Sequence, residues 1–132
     1  MAKRRKNNYL NNADLLEEIK HCKIVGAERN ELYISDKLTE YMYKLAHKIS
    51  SSRNFINYTY KDEMIQESVV HALYKAFPNY DVSRSNPFSF FSTVIIYKFI
   101  EMIKKEKKIL TLKEILIEKE IERIHMENDE RL

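Results

Sequence analysis

The stretch that most constrains this chain is "NPFSFFSTVIIYKFIEMI", from Asn86 to Ile103. Phe88, Phe91, Val94, Ile95, Ile96, Phe99, Ile100 and Ile103 make it apolar round most of its girth. Asn86 is a fitting helix cap, and Pro87 follows at the first helical position, where a missing N–H costs nothing. A helix this apolar needs neighbours on most sides. The expected architecture is therefore a helical bundle with this helix at its centre. The rest of the chain agrees, because one Gly and two Pro in 132 residues leave few helix breakers. Its length suits one domain with a real core rather than two of typical size.

Three other helices are expected to complete the bundle. "NNADLLEEIKHCKI" carries Leu15, Leu16, Ile19 and Cys22 at helical spacing, with Asn11 or Asn12 as cap and Gly26 as its end. "SDKLTEYMYKLAHKIS" is capped by Ser35 and carries Leu38, Tyr41, Met42, Leu45, Ala46 and Ile49 at helical spacing. The third helix runs from Lys61 to about Phe77, on a stripe of Met64, Ile65, Val69, Ala72, Leu73, Ala76 and Phe77. Beyond the fourth helix, a last one over about 112–127 has Ile115, Leu116, Ile117, Ile121 and Ile124 on one side and charges on the other. The expected fold class is all-α: a compact helical bundle with a mobile basic N-terminal arm and an extra C-terminal helix. The divisions fall at 1–11 for the arm, 12–108 for the helical domain and 109–132 for the C-terminal helix and tail.

The net charge of +3 matters less than its distribution. Lys3–Lys6 is a run of four cations, and four lysines (Lys104, Lys105, Lys107 and Lys108) surround Glu106, while acids are richer after Glu114. Such asymmetry suggests a polyanion at one surface and a different partner at another. The bland reading is a solvated surface and a loose tail. Cys22 is the only cysteine, which fits a reducing cytosol and excludes both an internal disulfide and a cysteine-rich zinc site. No apolar run reaches the ~20 residues needed to span a bilayer.

No catalytic constellation emerges. His21, His47, His71 and His125 are scattered, and one Gly cannot build a phosphate-cradling loop. Acidic neighbours such as Glu17–Glu18 and Asp62–Glu63 diverge on a helix. The expectation is a binding protein, with no enzymatic activity, cofactor or metal.

Two groups of residues invite a partner. Glu63, Gln66 and Glu67 share one face of the third helix, away from its apolar stripe. Their carboxylates near the helix start also suit the helix dipole, with no partner required. The second group is the loop "DVSRSN" with the aromatics after it. Rings among cations suit unpaired bases, which stack on the rings while the cations hold the backbone. Tyr80, Phe90 and Tyr97 need not face the core; Phe88 and Phe91 lie at a spacing that fits core packing.

From Asp62 to Ile100 the chain resembles the polymerase-binding and promoter-melting region of bacterial sigma factors of the primary-sigma superfamily. "IQE", the "YD…SR" loop and "FS" at the next helix start match that family's "DLIQE", "FD…R" and "FSTYA" in order and spacing. "SRSNPFSFF", the lysine-rich "FIEMIKKEKK" and the first helix are similar to the small late-gene sigma factors of T-even-type bacteriophages. The resemblance implies a bundle of the second, third and fourth helices. It implies that Glu63, Gln66 and Glu67 dock on a basic coiled coil of the large subunit of bacterial core RNA polymerase. It also implies that the fourth helix reads a −10-like promoter element, with Phe91 where relatives stack a tyrosine on a base. Arg84, Lys98, Lys104, Lys105, Lys107 and Lys108 would hold the DNA.

The chain departs from the family at several of these positions. Val69 replaces a residue that is often polar, and Val94 and Ile95 replace the tryptophan pair that supports the melted bubble. Lys98 replaces a glutamine, and a lysine grips phosphate but reads a base with less geometric precision than an amide. Nothing after Leu112 resembles a helix-turn-helix for the upstream element. A sliding clamp and a coactivator are the helpers such a protein would call on, with "HMENDERL" as a weak candidate for the clamp peptide. The expected function is a phage late-gene type sigma factor acting in the cytoplasm of a bacterial host. The alternative is a small helical phage protein that binds and inhibits or redirects the polymerase without reading DNA.

Overall fold

Capping decides where the helices begin. The computed structural model describes residues 11–52 and 54–131. In α1 (Asn12–Arg29), the Asn11 side chain accepts from the Asp14 N–H at 2.9 Å. In α2 (Asp36–Ser50), the Ser35 hydroxyl accepts from the Leu38 N–H at 3.0 Å. In α4 (Pro87–Arg131), Asn86 Oδ1 accepts from the Ser89 N–H at 3.1 Å. Asn12 Oδ1 accepts from the Phe88 N–H at 2.8 Å, so a side chain from α1 helps to cap α4. α3 (Lys61–His71) has no side-chain cap, but Asp62 and Glu63 sit in its first turn, where the dipole favours carboxylates. Among the described residues there is no strand, and the fold is all-α.

The chain divides into two units, 1–99 and 100–132. The first holds the core. α1 packs on α2 and α2 packs on α3. Leu15, Ile19 and Cys22 of α1 are buried, as are Leu38, Met42, Leu45 and Ala46 of α2, and Met64, Ile65 and Val69 of α3. α4 contributes Phe91, Ile95 and Phe99, each four residues after the last, so they line one side of the helix. Each such side chain stabilises the fold by about 1.5–3 kcal/mol on burial. Phe99 packs edge-on against Phe55 of the α2–α3 connection, with ring centroids 5.2 Å apart. Tyr80 and Phe91 meet at 5.5 Å.

Gly26 does not end α1. The helix continues to Arg29, and Asn30 takes the left-handed conformation at φ 56°. The Asn30 N–H donates to the Ala27 carbonyl and the Glu31 N–H to the Gly26 carbonyl, the paired bonds of a Schellman turn. That turn folds the chain back over Gly26. A Cβ there would lie 2.7 Å from the Glu31 carbonyl oxygen, so glycine is needed for close approach.

Two further differences from the sequence reading concern α3 and α4. α3 gives way to a wider π turn over Ala72–Ala76 and then a 3-10 turn over Phe77–Asn79. Lys23 Nζ donates to the Phe77 carbonyl at 2.9 Å and the Pro78 carbonyl at 3.1 Å, satisfying acceptors at the end of these turns. Burial lowers the pKa of this ammonium. α4, in turn, is not enclosed on most sides: Phe88, Val94 and Ile96 are half-buried and Ile100 is exposed. The single stripe of Phe91, Ile95 and Phe99 is what the other helices cover.

The second unit is the continuation of α4. No break separates a fourth helix from a last one at residues 104–112. Lysine and glutamate are good helix formers, and no Gly or Pro occurs after Pro87. The expected boundary at 108/109 is thus absent as a helix boundary, and the compact first unit stops earlier, at Phe99. Ile109, Leu110, Leu112, Leu116 and Ile117 are each about half exposed or more. Of the basic arm expected over 1–11, residues 1–10 lie outside the described residues, as does Leu132 of the expected clamp peptide. Among the described residues, no helix is long and apolar enough to cross a membrane.

Candidate functional site

The exposed side of α3 is defined by what its other side packs. Met64, Ile65, Ser68 and Val69 are buried, and the Ser68 hydroxyl donates to the Ile65 carbonyl at 2.9 Å, so its burial leaves no orphan. Glu63, Gln66 and Glu67 are all exposed. The structure brings them together on adjacent turns of one face, as their spacing requires. Among the described residues, none of the three makes an ion pair or a side-chain hydrogen bond. The sequence reading missed two members of this face. Val70 is 53% exposed and Tyr74 58%. Both follow Glu63 and Glu67 down the same side. A helical wheel of α3 carries that signal.

The loop before α4 is held by local bonds. Asp81 Oδ1 accepts from the Ser83 N–H at 3.0 Å, and the Arg84 N–H donates to the Asp81 carbonyl at 2.9 Å. The bonds from Ser83 hold the Asp81 carboxyl below its ordinary pKa. The Tyr80 hydroxyl donates to the Arg84 carbonyl at 2.8 Å, and burial raises that phenol's pKa. These bonds place the Arg84 guanidinium 5.5 Å from the centroid of the Phe90 ring. Phe90 in turn touches Tyr80 and Phe91, with centroids 5.0 and 4.9 Å away.

Phe91 requires a correction. It is fully buried, and its ring is packed by Tyr80 and Phe90. It offers no free face to a base; the core-packing reading of its spacing is the one the geometry matches. Tyr80 is likewise buried. The rings that reach solvent are those of Phe88 and Phe90, both half-buried, and of Tyr97, which is 68% exposed. Val94 is half-buried and Ile95 wholly buried.

The cations fall in both units. Arg84 is exposed and Lys98 half-buried in the first. Lys104, Lys105, Lys107 and Lys108 are exposed in the second, where Lys105 pairs with Glu101 at 3.8 Å. That pair is exposed and contributes little to stability. Lys104 and Lys108 stand one turn apart, so the cluster is a dense positive stripe on one helix. No group of three or more His, Cys, Asp or Glu is placed to hold a metal among the described residues.

No protein-family model matches the chain, and no curated protein matches it.

Proposed function

We propose that the chain is a non-catalytic initiation subunit of the sigma type. It binds bacterial core RNA polymerase through Glu63, Gln66 and Glu67. Within that complex it directs recognition and opening of a −10-like promoter element, in the manner of the small late-gene sigma factors of T-even-type phages. The observation that carries this reading is the α3 face: two carboxylates and an amide, exposed and unpaired among the described residues, at the positions that align with "DLIQE". Arg84, Lys98 and the stripe Lys104, Lys105, Lys107 and Lys108 are the proposed phosphate contacts. Such a protein works in the cytoplasm of a bacterial host, with a sliding clamp and a coactivator as candidate helpers.

Co-purification with bacterial core polymerase tests the docking. The double variant Gln66→Ala, Glu67→Lys is expected to lose the polymerase while keeping its helical circular dichroism. Retention of full binding by that variant would refute the docking assignment.

Burial of Phe91 and Ile95 favours a second reading, in which the protein occupies the polymerase and inhibits or redirects it without reading DNA. Footprinting of unpaired thymines on −10-only duplexes separates the two. Opening with the chain and core polymerase together supports the sigma reading; binding without opening on any such template supports the inhibitor.

A further inference from the structure

We infer that Val70 and Tyr74 form an apolar anchor on the acidic face of α3, and that the face fits a basic amphipathic helix of the partner. This rests on the docking role proposed for Glu63, Gln66 and Glu67.

Glu63, Glu67, Val70 and Tyr74 are spaced four, three and four residues apart, the repeat that keeps side chains on one side of a helix. That side lies opposite Met64, Ile65, Ser68 and Val69, all of them buried. The π turn continues the division: Ala72, Leu73 and Ala76 are buried, whereas Tyr74 and Lys75 are exposed. Val70 and Tyr74 therefore offer apolar surface one turn beyond the two carboxylates. Interfaces concentrate binding energy in such arrangements, with an aromatic anchor shielded from water by a charged rim.

Charge selects the occupant. Asp62, Glu63 and Glu67 are exposed at the α3 start. The basic groups nearby on the same element are the half-buried Lys61 and His71, with Lys75 at the far end. A second copy of this acidic face would repel it. A helix with Arg or Lys spaced to meet Glu63 and Glu67 is attracted instead. Such a helix can also lay an aliphatic side chain on Val70 and a guanidinium or methylene stem on the Tyr74 ring.

The test is titration of the 132-residue chain against bacterial core polymerase. Val70→Ala and Tyr74→Ala are each expected to weaken binding about tenfold, the scale of an interface anchor. Tyr74→Phe keeps the ring and is expected to stay within about threefold of the unaltered chain. Ile24→Ala serves as control, because Ile24 is 59% exposed on α1 and belongs to a different helix; it should bind unchanged. Raising salt separates the roles further: Glu63→Gln with Glu67→Gln should flatten the salt dependence, and Tyr74→Ala should leave it alone. Circular dichroism confirms that each variant folds. Unchanged affinity for both Val70→Ala and Tyr74→Ala, beside loss of binding by Gln66→Ala, Glu67→Lys, overturns the anchor and leaves the docking assignment standing. If the unaltered chain does not bind core polymerase, the docking assignment falls and the anchor falls with it.

Discussion

The two units use the same residue types in opposite ways. In the first, Leu38, Leu45, Ile19 and Ile95 are sealed from water. In the second, Leu110, Leu112, Leu116 and Ile117 are each more than half exposed. Both stretches are helical and rich in Leu and Ile, so apolar content alone does not place a side chain in a core. Burial requires facing helices, and the first unit has them. The second draws on local support: helix-forming residues, the Glu101–Lys105 pair, and Arg123 held between Glu120 and Glu127. Exposed pairs of that kind contribute little to stability. The acidic face of α3, proposed to dock on polymerase, belongs to the first unit, and the lysine stripe to the second.

The contrast breaks most visibly at Phe99 and Ile117. Phe99→Ala should cost about 3–5 kcal/mol, because it opens a cavity against Phe55. Ile117→Ala should stay within about 0.5 kcal/mol, because its side chain is 59% exposed. Urea unfolding of the two variants side by side measures both, and similar losses would show that the two units share a core.

A smaller effect probes how tightly the first unit is fitted. Gly26→Ala gains at most ~1 kcal/mol of helix propensity. Against that stands overpacking of about 1–3 kcal/mol, since a backbone carbonyl lies 2.7 Å from the new carbon. The net result is a lower unfolding midpoint, whereas a glycine free to become alanine would raise it.

Next comes the α2 cap. Ser35 accepts from the Leu38 N–H and donates to Glu18 at 2.6 Å, tying α2 to α1. Ser35→Ala should cost about 1–2 kcal/mol. Thermal denaturation of Ser35→Ala beside Ser35→Thr checks it, with Thr keeping most of the loss at bay.

The smallest effect is a pH dependence. The folded-state pKa of Asp81 is lowered by its bonds from Ser83. Its stabilising contribution is therefore present above the unfolded carboxyl pKa and disappears as pH falls through the folded value. Asp81→Asn should remove a shallow slope from the melting temperature on the acid side, where pH falls below the ordinary carboxyl range. An identical slope in both proteins would show that the Ser83 bonds do not discriminate between protonation states.

Much of the framework was legible because its signals are local. Asn11, Ser35 and Asn86 bond to N–H groups three residues on, so a short window of sequence reveals them as caps. The stripes of α1, α2 and α3 follow from helical periodicity. The unbroken run of α4 through the lysine cluster was also open to reading, since no breaker follows Pro87; the dense charge suggested a boundary that helix propensity does not impose. The acidic group of Glu63, Gln66 and Glu67 was predictable from spacing alone, once α3 was placed.

Other features depend on which helix faces which, and no local pattern contains that. The α4 stretch offers apolar residues on most sides, and packing against Phe55 and Tyr80 selects Phe91, Ile95 and Phe99 for the interior. Phe91 thereby loses the free ring face that the family resemblance implied, and keeps the core role that its spacing suggested. Gly26 likewise shows its purpose only when the chain returns and brings the Glu31 carbonyl against it. The sequence by itself determined that this protein is helical, where most helices begin and which faces are acidic or basic, because those depend on neighbours within a turn or two. Only the tertiary structure decided which apolar residues are enclosed, because burial depends on atoms contributed by distant parts of the chain.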